Sequence, residues 1–173
     1  MIKNYLYILL FFFCKVSFSQ EELVPLSKNI YKTDFSNQQF LQKKAQNRIA
    51  ALSLPFFEDF NQQEIFPNPL RWQDNFVYIN AHYPINTVTV GVATFDGTNN
   101  IGNPYSLVSN ARGYADKLTS NTIDLSGLTN DSAVFLSFYY LTGEFGESPE
   151  RNQDFLNVQF LDTAGIWKEV ANI

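Results

Sequence analysis

The chain has 173 residues, enough for one modest domain, with 12 basic against 17 acidic residues and a formal net charge of −5. That acidic balance argues against nucleic acid or an anionic membrane surface as a partner. A single cysteine excludes an intrachain disulfide framework, so packing has to hold the fold together.

Residues 1–19 read as a cleavable signal peptide. Lys3 supplies the positive start, and residues 5–13 form an apolar core far short of the roughly 20 residues a membrane-spanning helix needs. Ser17 and Ser19 stand at the small-x-small cleavage positions, which places cleavage before Gln20 and the mature chain outside the cytoplasm, with no transmembrane segment after processing. Cys14 follows Phe11, Phe12 and Phe13, too bulky for a lipidation site, and leaves with the signal. So do Lys3 and Lys15, which makes the mature chain more acidic still.

Residues 20–53 are rich in Gln, Asn and Lys and read as a linker or a loosely docked helix. Within them residues 36–52 have Ser36 as a candidate N-cap and Leu41, Ala45, Ile49 and Leu52 at helical spacing. From residue 54 onward, strand-like runs alternate with turn signals. The runs are residues 56–60 (FFEDF), 72–80 (WQDNFVYIN), 87–95 (TVTVGVATF), 118–125 (LTSNTIDL), 133–141 (AVFLSFYYL), 155–161 (FLNVQFL) and 166–170 (IWKEV). In 87–95, Val88, Val90 and Val92 take one face and Thr89, Gly91 and Ala93 the other. The run 133–141 carries no charge, which predicts a central strand covered on both faces. The gaps hold Asp96-Gly97, Gly102-Asn103-Pro104, Ser126-Gly127 and a Gly-rich stretch over 143–149. The pattern predicts an all-β antiparallel sandwich over 54–173.

Several motifs occur in a set order: LPFFEDF at 54–60, W-x-x-x-x-VYIN at 72–80, YPIN at 83–86, GVATFDG at 91–97, NPY at 103–105, ADKLTS at 115–120, LSFYY at 136–140 and W-x-x-V at 167–170. That series resembles the N-terminal jelly-roll module of large surface proteins exported by the type IX secretion system of gliding bacteria. More loosely, it is similar to MAM and concanavalin-like jelly rolls. The resemblance implies a secreted or cell-surface module that does not catalyse, with a role in adhesion, matrix or gliding motility. Such modules continue past the W-x-x-V strand into further domains, so the jelly roll is expected to be incomplete at its C-terminus and missing its downstream domains.

The candidate sites are few. The chain has one histidine, His82, in a polar stretch that reads as an ordinary loop, and no G-x-S-x-G, H-E-x-x-H or P-loop pattern. Glu58 and Asp59 are adjacent, so on a strand they face opposite sides and cannot act as a glycosidase pair. Oxygen donors suited to calcium are Glu58, Asp59, Asp96, Asn99, Asn100, Asp116 and Asp154, with 96–100 (DGTNN) the best loop, although Asp96-Gly97 alone makes an ordinary turn. Tyr83, Tyr105 and Tyr114 lie in predicted loops, where their rings could stack on sugars. Of Tyr139 and Tyr140, strand alternation sends one toward the core and the other outward. Asp131-Ser132-Ala133 and Asp162-Thr163-Ala164 resemble the O-glycosylation acceptor of such bacteria, at Ser132 and Thr163. The alternatives to a structural role are a carbohydrate-binding module acting on extracellular glycans and the N-terminal part of a larger secreted hydrolase.

Overall fold

A computed structural model of the chain describes residues 26–39, 50–62, 64–107, 113–129, 131–143, 149–150 and 153–173, with side chains described outside 35–39. The expected signal peptide and much of the expected 36–52 helix lie outside these residues.

The helix α1 is Ile30–Gln39, earlier in the chain than the sequence pattern suggested. Asn29, rather than Ser36, is its cap: Asn29 Oδ1 accepts the Lys32 N–H at 3.2 Å, and the Thr33 N–H reaches Asn29 O at 3.2 Å to close the first turn. Ser36 lies inside α1, and Leu52 belongs instead to a parallel bridge with Ile123. Leu52 N–H donates to Thr122 O and Asp124 N–H donates to Leu52 O, both at 2.7 Å.

The described chain is mostly non-helical, with four short strands in two antiparallel pairs, as a β-rich fold requires. In the first pair, β1 (Tyr78–Asn80) and β2 (Val92–Thr94) match Tyr78 with Thr94, Ile79 with Ala93 and Asn80 with Val92. In the second, β3 (Asn157–Leu161) pairs with β4 (Trp167–Asn172) from Leu161–Trp167 back to Asn157–Asn172, with a register shift between Val158 and Gln159. Asp162 builds the turn of this hairpin. Its Oδ1 accepts the N–H groups of Ala164 and Ile166 at 2.9 and 2.8 Å, and Gly165 supplies the positive φ of 76°.

Of the runs expected to be strands, 56–60 contains none and 118–125 makes only isolated bridges, Ser120 with Trp72 and Ile123 with Leu52. Of 87–95 only 92–94 form a strand, all half-buried; before it exposure alternates, with Val88 and Val90 exposed and Gly91 buried. The reason is steric. A Cβ on Gly91 would overlap the Phe60 carbonyl oxygen and press on the Ile79 side chain, so the glycine face is the one the neighbouring backbone approaches. Residues 133–141 belong to no strand among the described residues and every one of them is exposed, against the expectation of a covered central strand.

The core of the first part is small: Val77 is fully buried and Phe66 and Tyr78 nearly so. An aromatic knot supports it. Trp72 stacks on Phe60 with ring centroids 5.8 Å apart and meets Phe56 edge-on at 5.6 Å. The Trp72 indole N–H donates to Glu58 Oε2 at 2.9 Å, so its polar end is satisfied beneath the rings. Arg71 sits over Phe56 and donates to the Phe57 carbonyl. Among the described residues no helix is long and apolar enough to cross a membrane.

Candidate functional site

The most elaborate polar arrangement lies where α1 meets the turn at Asp96. Lys32 has a fully buried side chain, an expensive place for a charge unless each of its N–H groups finds an acceptor. Its ammonium sits 2.7 Å from Asp96 Oδ1, 3.0 Å from Thr98 O and 3.1 Å from Thr98 Oγ1, and it also donates to the Phe76 carbonyl. The Tyr78 ring lies 5.7 Å away and adds its negative face. Asp96 Oδ2 is taken by Asn29 Nδ2 at 2.5 Å and by the Thr98 hydroxyl at 2.9 Å.

The backbone holds this cage open to α1. Thr98 bridges to Pro104, Asn99 N–H donates to Asn103 O at 2.8 Å, and Asn99 Oδ1 accepts the N–H groups of Ile101 and Asn103 at 3.0 Å each. Asn29 N–H then donates to Gly102 O at 2.9 Å, and the Thr33 hydroxyl donates to Ile101 O at 3.1 Å. Gly102 has φ 78°, and a side chain there would overlap the Asn29 carbonyl and the Thr33 hydroxyl. Glycine is what allows the helix start to lie on this loop.

Asp116 forms an outer layer. Its Oδ2 accepts the Gly97 N–H at 2.8 Å and its Oδ1 accepts the Tyr105 hydroxyl at 3.0 Å. Burial raises its pKa, against the lowering influence of the Gly97 N–H and the Lys32 charge. Burial also raises Tyr105, with Asp116 adding to the shift. Tyr78 is pushed up to about 12, first by burial and then by the Asp96 charge.

Six of the seven expected calcium donors hydrogen-bond into separate networks. Asp96, Asn99 and Asp116 share the loop just described, and Asn100 is exposed beside it. Glu58 caps Trp72 and its Oε1 accepts the Phe60 N–H at 3.0 Å, while Asp59 accepts the Asn61 N–H at 3.1 Å. Asp154 accepts the Glu150 N–H at 2.8 Å near the hairpin. No group of three His, Cys, Asp or Glu is gathered as a metal cage among the described residues. The positive charge beside Asp96 is the chain's own Lys32, which the sequence reading had left in the linker.

Tyr83, Tyr105 and Tyr114 are all exposed, Tyr114 almost completely. Tyr139 and Tyr140 are both exposed, rather than divided between core and surface. His82 is an exposed loop residue whose backbone N–H donates to Asn80 Oδ1 at 2.7 Å. Ser132 is half-buried, with its hydroxyl accepting the Thr129 N–H at 3.0 Å, whereas Thr163 stands exposed in the β3–β4 turn. Asn29 was missed as the cap in favour of Ser36, although its residue type suits one; Lys32 carried no such signal. No protein-family model, curated protein or solved structure matches the chain.

Proposed function

We propose that this chain is a non-catalytic module of an exported or cell-surface protein, built on a jelly-roll-like sandwich and serving adhesion, matrix or gliding-associated structure. The observation that carries the reading is the open apolar run at 133–141. Its large side chains range from 46 % exposed at Phe138 to 87 % at Phe135. The Phe138 and Tyr140 rings stand 6.4 Å apart. An uncharged apolar segment with exposed side chains and no strand partner among the described residues is a template for strand addition. Its occupant in this reading is a further polypeptide supplying a β-strand, as the neighbouring domains or surface proteins of such an assembly would. The β3–β4 hairpin extends the apolar surface through Phe160, Leu161, Trp167 and Val170.

The test is made in the native host with the epitope-tagged chain. The tag should be accessible to antibody on intact cells or in the medium, and replacing Phe135 and Tyr139 with Asp should lower surface attachment several-fold without lowering export. Retention of the tagged protein in the cytoplasm would overturn the reading. So would purified protein that hydrolyses ester, glycoside or peptide substrates.

A second reading, carbohydrate binding, is favoured by the exposure of Tyr83, Tyr105 and Tyr114. Saturable binding on a glycan array that Tyr114→Ala abolishes would select it over the first.

A further inference from the structure

We propose that the Asp96 cage is a binding site for a lysine side chain presented on a peptide, that residues 26–39 fill it in cis, and that a lysine-bearing segment of another polypeptide chain takes their place in exchange. This inference stands apart from the reading of residues 133–141.

The argument begins with how α1 is held. Its neighbouring apolar side chains are in water: Ile30 is 63 % exposed, and Tyr31 and Leu26 are about half exposed. Among the described side chains of 26–34, only Lys32 is buried. Among the described side chains the segment is therefore retained by an ammonium group and a few hydrogen bonds rather than by a buried apolar face. Most helices are held the other way round. Contacts of this kind are replaced one for one by an equivalent donor set, with little apolar surface among the described side chains to expose on release.

The cage also specifies what it accepts. An ammonium has three N–H groups directed tetrahedrally, and here it meets two carbonyls, one hydroxyl and one carboxylate oxygen. A guanidinium is a planar fork that suits both oxygens of a carboxylate. Neither Asp96 oxygen is free for such a fork, because the Thr98 hydroxyl bonds to both at 2.9 Å and the Thr98 N–H donates to Oδ1 at 3.0 Å. The site therefore selects lysine over arginine. A calcium ion wants six to eight oxygens, and the atoms around the Lys32 nitrogen provide four from three residues. The partner peptide also needs a residue like Asn29 three positions before its lysine, to reach Gly102 O and Asp96 Oδ2.

The experiment uses the full chain carrying Lys32→Met and a fluorescent peptide with the sequence of residues 26–39. The peptide should bind saturably, at least tenfold more tightly than peptides carrying Lys32→Arg or Lys32→Met, and at least tenfold more tightly than it binds the unsubstituted chain, whose site is filled. Equal binding of the three peptides would overturn the proposal, as would no binding to a variant that circular dichroism shows to be folded. Should Lys32→Met not fold, nitrogen-15 NMR of the unsubstituted, labelled chain reads the same point. One lysine ammonium should be protected from water, and excess unlabelled peptide should expose it while the Lys32→Met peptide does not. An ammonium signal indifferent to the peptide, or displaced by calcium alone, would overturn the proposal. Unlabelled full chain in place of the peptide tells a second copy from a different lysine-bearing protein as the source.

Discussion

Around Asp96 the chain keeps Val77, Tyr78 and Thr98 out of water and buries even the charge of Lys32, while residues 131–173 leave Phe135, Tyr139, Phe155 and Trp167 open. The first region has little regular structure, two three-residue strands and a few bridges, yet its side chains bond repeatedly to distant backbone. Asn121 Nδ2 donates to Pro69 O and Gln73 Nε2 to Ser120 O. The second has the longer and better paired strands, β3 and β4, but no described element lies across them. Ladder hydrogen bonds and burial are thus separate achievements. A hairpin satisfies its backbone by local pairing, but two strands alone cannot cover their own apolar side chains.

The largest expected effect that sharpens this contrast is Trp72→Ala. It removes both ring contacts and the indole partner of Glu58, and should cost about 3 kcal/mol in thermal or denaturant unfolding. Amide signals of β3 and β4 should stay in place. If they shift together with those of β1 and β2, the two regions are one cooperative unit and the contrast breaks.

Gly102→Ala comes next. It forces a side chain into a positive φ and against Asn29 and Thr33, and should cost about 2 kcal/mol. Release of α1 would be visible as proteolysis between residues 26 and 39.

The pH dependence follows from Tyr78. Its pKa is raised in the folded state from 10.0 to about 12, so folding favours the neutral phenol. That stabilising contribution is complete below pH 10 and is lost as pH rises through about 12. Absorbance titration should show Tyr78 among the last tyrosines to ionise, and Tyr78→Phe should remove that late step. A full complement of tyrosines ionising near pH 10 would mean that the site does not hold together in solution.

The smallest effect is expected in the second region. Phe135→Asp at a side chain 87 % exposed should change stability by no more than about 0.5 kcal/mol. It should nevertheless lower surface attachment in the native host. A loss several times larger would show that Phe135 is covered.

What the sequence disclosed divides along the same line. Period-two patterning located β3 and β4, and Asp162 and Gly165 fit the turn between them, because these are local properties of a hairpin. The turn at Asp96-Gly97 was legible in the sequence, but that Asp116 joins it through the Gly97 N–H was not. The orientation of residues 87–95 was not, because it depends on Phe60 approaching Gly91 from a segment thirty residues earlier in the chain. Lys32 was hidden for a similar reason. In a polar stretch a lysine reads as a solvated helix face, and only the carbonyls of Phe76 and Thr98, far away in sequence, give it a buried place.

The measurement that bears most directly on the two-region account is amide hydrogen exchange along the full chain at neutral pH. The account predicts slow exchange at the ladder and cage amides of Ile79, Thr98 and Asn121, and fast exchange throughout 133–141, where no described strand pairs with the backbone. Protection of 133–141 equal to that of Ile79 would contradict it, and would mean that this run is a covered strand after all.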